Sequence, residues 1–391
     1  MLLIKKADVY APRHLGQKDV LVVGEKIAVI ADQIPDSVTE QFAGMGEDIK
    51  VLNGEGKILI PGLIDSHVHI TGGGGEGGFR TRTPELHVTE MVRAGITTVL
   101  GLLGTDGITR SVENLYAKTA SLNEEGVSAY MLTGAYGYPS PTITGEADRD
   151  IIFIREVLGV KLAISDHRAP NVSVQELISL ASKTRVAGML GKKPGAITLH
   201  MGNDQAGLSP VFEALKRSSL PVGILRPTHV NRRAALVEEG YELLKMGGYV
   251  DYTCAMDGGR ASGECIAEAK RRGIPTEHIT ISSDGHGSWS RYGEDGTLLE
   301  IGVSGIDSLH KEIKNMVENL GMDLEEALPY VTTHVARALM IDEKKGSIKK
   351  SADADMVLLT KDLEIDSVIA RGKVMMEETE LLYQGTYATC M

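Results

Sequence analysis

Residues 57–69, KILIPGLIDSHVH, run from an apolar stretch into His67-Val68-His69. The stretch reads as a β-strand, and in a strand residues i and i+2 point to one face. Its end therefore presents two imidazoles side by side. Seven further apolar runs follow: ITTVLGLLG (96–104), VSAYMLTGA (127–135), VLGVKLAIS (157–165), AITLH (196–200), LPVGILR (220–226), YVDYTC (249–254) and HITISSD (278–284). Helix signals lie between them. Thr83-Pro84 offers an N-cap and first turn for a helix that stops at Gly95, Ser173 opens one that ends at Gly188, and another ends at Gly273. Eight strands alternating with helices predict an α/β fold, a (β/α)8 TIM barrel. A doubly wound open sheet is the rival, but it requires neither a count of eight nor a ring of polar strand ends.

The ends of the chain read differently from its middle. DVLVVGEKIAVIAD (19–32) places two β-branched runs around Gly24-Glu25-Lys26, a hairpin signal. ADADMVLLT (352–360) and IDSVIARGKVMME (365–377) repeat the style, with a turn at Arg371-Gly372-Lys373. The expectation is a small β-sandwich domain formed from residues 1–57 and 342–391, around a catalytic barrel of residues 58–341.

Bulk properties narrow the function. With 391 residues the chain exceeds one small core, and 42% hydrophobic with 24% charged residues is ordinary for a soluble globular protein. A net charge of -12 argues against nucleic-acid and anionic-membrane partners. Cys254, Cys265 and Cys390 show no CxxC spacing and suggest a reducing compartment. The first apolar run is broken by Lys5 and Lys6, unlike a signal peptide, and no run reaches the length of a membrane span. A cytoplasmic protein is expected.

In a barrel, catalytic residues gather at the C-terminal ends of the strands. Strand one ends in His67 and His69, strand five at His200, strand six near His229 and strand eight at Asp284. Imidazole and carboxylate together suit zinc, iron or nickel better than calcium or magnesium. Lys161 is the oddity, set inside an apolar strand. Burial of an unpaired ammonium costs several kcal/mol or shifts its pKa strongly down. Taken alone, Lys161 is equally well a strand-end lysine that snorkels or pairs with Asp166. Beside four histidines and an aspartate, it reads as a neutral amine that takes up CO2 to form a carbamate, an oxygen ligand able to bridge two metals.

Asp65-Ser66-His67-Val68-His69, Lys161, His200, His229 and Asp284 resemble the metal set of the amidohydrolase superfamily, in its binuclear subset with a carboxylated lysine. Within it, ITGGGGEGG (70–78), GAYGYPSPT (134–142), LAISDHRAP (162–170), RPTHVNRR (226–233) and SSDGHGS (282–288) are similar to the isoaspartyl dipeptidases over essentially the whole chain. The resemblance implies a zinc metallopeptidase with two Zn2+ per subunit. His67, His69 and Asp284 would hold one ion, His200 and His229 the other, and Lys161, as N6-carboxylysine, would bridge them. It further implies Asp284 as general acid and base, and Tyr136 as the donor to the developing oxyanion, with Tyr138 a competing choice.

The implied substrate is a small isoaspartyl dipeptide, a product of protein degradation that the enzyme would clear. Such a molecule carries one ammonium and two carboxylates. Glu76 suits the ammonium, and Arg168 and Arg232 carry the planar fork that matches carboxylates, with either assignment open. Thr105 and Ser288 add neutral hydrogen bonds. Gly74 and Gly75 let backbone approach a small ligand where a side chain would collide. A homo-oligomer, octameric in form, follows from the resemblance alone. His167, His286, His334 and Arg233 are left as supporting, helix or surface residues, and SPTITGEADRD (140–150) as either a mobile lid or a long exposed turn.

Two rivals remain. Cyclic-amide hydrolases such as dihydroorotases and hydantoinases share this fold and metal set. Dihydroorotases resemble HxHxR, and here the arginine position is Thr71. Gly72, Gly74 and Gly77 satisfy the GxGxxG of dinucleotide-binding proteins, but that motif requires a helix opening directly from it.

Overall fold

The computed structural model describes residues 1–45, 49–256, 258–293 and 297–387, so Cys390 lies outside the described residues. The N-terminal part supplies β1 (Leu2–Tyr10), β2 (His14–Val23), β3 (Lys26–Ala31), β4 (Lys50–Asn53) and β5 (Ile58–Pro61). β1 to β3 form an antiparallel meander, and the expected hairpin at Gly24-Glu25 joins β2 to β3. β1 bends at Lys6, whose φ of 58° is left-handed, and this bend changes its partner. Its first half lies parallel to β4, and Asp8 and Val9 lie parallel to β5.

The segment 57–69 is thus two strands, not one. β5 belongs to the sheet built from the chain ends, and the chain crosses at Gly62 into β6 (Leu63–Val68). A Cβ on Gly62 would stand 2.2 Å from the Thr97 hydroxyl, so only glycine passes there. Residues 58–61, expected with the segment 58–341, thus hydrogen-bond with strands of the chain ends.

Eight parallel strands follow, as the periodicity predicts. β6 is succeeded by β7 (Ile96–Gly101), β8 (Ser128–Gly134), β9 (Val157–Ile164), β10 (Ala196–Met201) and β11 (Leu225–Thr228) in one parallel sheet, each beside its sequence neighbour. β12 (Val250–Thr253) and β13 (Ile279–Ser282) form a separate parallel pair. A parallel bridge between Val68 and Gly285 ties the far side of that pair back to β6. Between β11 and β12 the link is made by side chains: Thr228 donates to Asp251 at 2.7 Å, and His229 meets Thr253 at 2.7 Å. The strands read as near-continuous buried apolar runs, as parallel strands covered on both faces do.

Helices separate the strands. Ser173 caps the helix Val174–Gly191 in a reciprocal box with Glu176, as the sequence signals, and the helix runs past Gly188 to a left-handed cap at Lys192. The helix expected from Thr83 instead begins at Val88, capped by His87. Thr83 is otherwise engaged: its hydroxyl donates to the His286 carbonyl and accepts from the Gly73 amide, both at 2.6 Å. An antiparallel hairpin not anticipated from sequence, β14 (Ser288–Tyr292) and β15 (Leu298–Val303), follows β13.

The C-terminal strands β16 (Met356–Leu359), β17 (Ile365–Ala370), β18 (Lys373–Glu377) and β19 (Glu380–Leu381) complete the sheet of the chain ends through antiparallel pairing of β16 with β5. Where a two-sheet sandwich was expected, the hydrogen bonds form one continuous nine-stranded ladder, because β1 serves partners on both edges. Alternation on β16 docks it to the rest. Met356 and Leu358 join the core of the end sheet, while Val357 and Leu359 join the large core around the parallel strands. Each such side chain, fully buried, contributes roughly 1.5–3 kcal/mol. No helix among the described residues is long and apolar enough to cross a membrane.

Candidate active site

The residues expected at the strand ends converge on one centre. His229 and Asp284, just past β11 and β13, have left-handed backbones with φ of 61° and 54°. Such a conformation costs a non-glycine residue on the order of 1–3 kcal/mol and recurs at functional sites. Ligand atoms of His67, His229 and Asp284 all lie within 4.8 Å of one another. His69 joins through Asp284, its Nε2 standing 3.2 Å from Oδ1, and His67 Nε2 is 3.4 Å from the same oxygen. Lys161 is fully buried, with Nζ 3.0 Å from His67 Nε2. Burial draws its ammonium down to about 7, against the opposing pull of Asp284 and Asp251.

These groups suit resident cations. Burial first, then neighbouring cationic groups, hold His67 and His229 well below the usual imidazole range, so both rings are neutral, the form in which an imidazole can ligate a metal. His67 Nδ1, His69 Nδ1 and Asp284 Oδ1 are buried without hydrogen-bond partners. His229 spends Nδ1 on the Thr253 hydroxyl, which fixes the ring and leaves Nε2 for the centre.

His200 is placed differently. Its ring lies 4.7 Å from that of His229, but both nitrogens are bonded to protein groups. Nδ1 meets the Tyr136 hydroxyl at 2.6 Å, and Nε2 meets Asp166 Oδ2 at 3.0 Å. Asp166 escaped the sequence reading as a partner of His200. Burial alone would raise its carboxyl, but hydrogen bonds from Arg168 and His200 hold it far below the carboxylate range. Asp251 also escaped notice, and Asp65, read only as part of the strand-one motif, was given no partner there. Burial pushes Asp65 up to about 7 and Asp251 up to about 6, although hydroxyls of Ser283, and of Thr280, Thr228 and Ser282, donate to them.

A cavity of about 490 Å³ opens on this centre. Glu76, Thr105, Arg168, Arg232, Ser288, Tyr136 and Gly74 line it, together with Asp284; Gly75 does not. Glu76 accepts from Thr105 at 3.1 Å, from Ser288 at 3.0 Å and from Arg168 at 3.4 Å. Arg168 also grips Asp166 by two parallel bonds of 2.9 and 2.8 Å. Arg232 is the freer cation, its Nε buried without a partner. Burial depresses its pKa, and Tyr136 opposes the shift.

Several expectations are refined here. Tyr136 is 7% exposed and faces the cavity, whereas Tyr138 packs against the core. Burial raises the Tyr136 hydroxyl well above its ordinary value, so it keeps its proton. Arg233, expected at the surface, lines the cavity and donates to the Asp204 carbonyl at 2.7 Å. The 140–150 segment is pinned by buried Asp150, which accepts from the Ile143 and Thr144 amides and the Thr133 hydroxyl at 3.0, 2.8 and 2.6 Å.

The glycine run owes its small size to its own loop. A Cβ on Gly72 would stand 2.4 Å from the Thr83 carbonyl oxygen, and one on Gly74 would stand 2.5 Å from that of Thr81. Close approach is indeed the requirement, and the partner in both cases is the returning leg of the loop. Arg110, unremarked in the sequence, donates to backbone carbonyls of that loop.

Comparison with known proteins agrees with this geometry. The model of the amidohydrolase family matches residues 58–375. A crystal structure of beta-aspartyl dipeptidase from Fervidobacterium islandicum AW-1, in complex with beta-Asp-Leu dipeptide, is 39% identical, with a TM-score of 0.91 over 97% of each chain. A dihydropyrimidinase from Brevibacillus agri NCHU1002 shares the fold at 16% identity and a TM-score of 0.67, over 97% of this chain and 96% of that one. A dihydroorotase of Lactobacillus leichmannii is 26% identical over 286 residues; the match spans 73% of this chain and 60% of that enzyme's length. The chain belongs to the amidohydrolase family, and over nearly its whole length it is similar to beta-aspartyl dipeptidase.

Proposed function

We propose that this amidohydrolase is a zinc-dependent dipeptidase that cleaves isoaspartyl (beta-aspartyl) dipeptides. The observation that carries the reading is Glu76. Its carboxylate is set by Thr105, Ser288 and Arg168 in the same cavity as Arg232 and Asp284. One acid and two guanidinium groups around a hydrolytic centre match the one ammonium and two carboxylates of the substrate. The likeness to an enzyme solved with beta-Asp-Leu supports it.

In this reading the two arcs of parallel strands are one (β/α)8 barrel, with residues 62–341 as its body. His67, His69, His200, His229, Asp284 and Lys161, carboxylated on Nζ, would hold two Zn2+ ions per subunit. When bound, the ions supply a hydroxide at neutral pH and polarise the scissile carbonyl. Asp284 accepts the proton of the attacking water and delivers it to the leaving amine. Tyr136 donates to the carbonyl oxygen as charge develops there. Asp166 keeps His200 Nε2, so Nδ1 is the nitrogen His200 offers, and the Tyr136 hydroxyl that covers it is the one required by substrate. Gly74 contributes its backbone to the substrate wall.

The resemblance adds a cytoplasmic homo-octamer that clears isoaspartyl products of protein degradation. Nucleic acid and membrane are not partners in this reading.

The second reading, a cyclic-amide hydrolase, draws on the dihydroorotase relative. Thr71 opposes it, because it is buried and its carbonyl is already taken by Arg110. The deciding experiment offers beta-Asp-Leu, alpha-Asp-Leu, dihydroorotate and hydantoin to the zinc-loaded protein. Only beta-Asp-Leu should be cleaved efficiently. Turnover of a cyclic amide with an inert dipeptide would reject the assignment.

A further inference from the structure

Arg110 lies after β7, one residue before Ser111, the N-cap of the helix Val112–Glu124, and is 6% exposed. Its guanidinium makes three hydrogen bonds, all to backbone carbonyls of one loop. Nη1 donates to Thr71, and Nη2 donates to Thr83 at 2.7 Å and Gly73 at 3.2 Å. Among the described residues no carboxylate pairs with it. Its Nε is buried without a partner.

The loop so held is a narrow ribbon. The Thr83 amide donates to Gly73 at 3.0 Å, the Gly75 amide donates to Thr81 at 3.3 Å, and Gly74 bridges Arg82 in antiparallel register. Glu76 is the next residue beyond this paired leg. A Cβ on Gly72 would also lie 2.9 Å from Arg110 Nη1, so the glycine run makes room for the guanidinium as well as for the returning leg. A planar fork is the side chain that reaches carbonyls on both legs at once.

We propose that Arg110 is a positioning residue for substrate recognition. Its guanidinium locks the two legs of the 71–83 ribbon in register and so places the Glu76 carboxylate against the substrate's α-ammonium. The proposal rests on the reading of Glu76 as the ammonium-binding acid. The same loop touches the metal side, since the Gly72 amide donates to the His69 carbonyl at 2.6 Å, so metal content must be read alongside kinetics.

The test uses the zinc-loaded protein and two substrates, beta-Asp-Leu and N-succinyl-leucine. The second has the same amide and both carboxylates but no ammonium. For Arg110→Met, KM for beta-Asp-Leu should rise on the order of 30-fold with kcat held within about threefold, the size of one lost charge-assisted contact. For N-succinyl-leucine, kcat/KM should change by less than about threefold, with zinc content unchanged and Arg110→Lys intermediate. An equal fall on both substrates, loss of zinc, or an unchanged preference for beta-Asp-Leu overturns the proposal. Should Arg110→Met not fold, Arg110→Lys decides the matter, and wild-type preference in that variant is the overturning result. Glu76→Gln separates the two levels. If it keeps the preference for beta-Asp-Leu, the reading of Glu76 fails; if it loses the preference while the Arg110 variants keep it, only the role of Arg110 fails.

Discussion

The two walls of the cavity are finished in opposite ways. On the metal side, His67, His69 and Asp284 hold buried polar atoms with no hydrogen-bond partner in the protein. On the substrate side, Glu76, Thr105, Ser288, Arg168 and Asp166 bond to one another until little is left over. An unsatisfied buried polar atom costs about 1–3 kcal/mol, which fits the proposal that the first wall holds resident cations. The second wall fits the proposed exchange of substrate for product. In the proposed reading a substrate ammonium replaces partners of Glu76 at small net cost, because a hydrogen bond traded for another is worth little.

The largest break in this contrast is Lys161→Ala. It removes the buried amine of the proposed metal wall, and kcat should fall by about 1,000-fold or more as bound zinc drops below two equivalents. Zinc analysis with a beta-Asp-Leu assay checks this, and full zinc with full activity refutes the bridge. Arg232→Met comes next. Arg232 is the least satisfied cation of the substrate wall, so KM for beta-Asp-Leu should rise by about 100-fold with zinc retained. A loss of zinc would instead assign Arg232 to the metal side.

A pH series on metal-free protein sharpens the contrast. Lys161 has a folded pKa of about 7, below the ordinary 10.5 of the unfolded chain. Between those values the unfolded state binds more protons, so stability rises with pH through that window, by up to about 1.4 kcal/mol per unit, and is flat in this respect below it. Urea midpoints should show the slope in the native sequence and not in Lys161→Met. Ser288→Ala is the mildest probe. It deletes one of several donors to Glu76 and should raise KM only about threefold, in the range of a single neutral hydrogen bond. A 100-fold effect would mean that Ser288 touches the reacting groups.

The residues of the proposed metal wall stood out in the sequence because each ends or interrupts an apolar strand, where a polar residue is unusual. Lys161 within VLGVKLAIS is the plainest case. The residues of the proposed substrate wall were picked by charge type and family likeness, and the fold brings Glu76, Thr105, Arg168 and Ser288 together from four separate segments. What escaped were residues whose role depends on tertiary partners. Asp166 sits two residues from Arg168, a spacing common at any surface, and nothing local says that it also holds His200. Arg110 follows a polar turn with no period. The helix start at Thr83-Pro84 was misread because the threonine hydroxyl found tertiary partners in Gly73 and His286. The β14–β15 hairpin mixes serine, arginine and glutamate with its apolar residues, which blurs the alternation of a strand.

The pairing of β5 with β16 sets a timetable for synthesis. Leu59 lies opposite Leu358, about three hundred residues later in the chain. At ribosomal speeds of about 5–20 residues per second, that separation leaves β5 waiting roughly 15–60 s for its neighbour. Throughout, Ile58, Leu59 and Ile60 present an apolar strand with an open edge, the kind of surface on which nascent chains stick together. The parallel strands β6–β13 emerge while the ends stay apart, so the sheet of the chain ends is the last piece to be completed and the step at which a chaperone has most to protect.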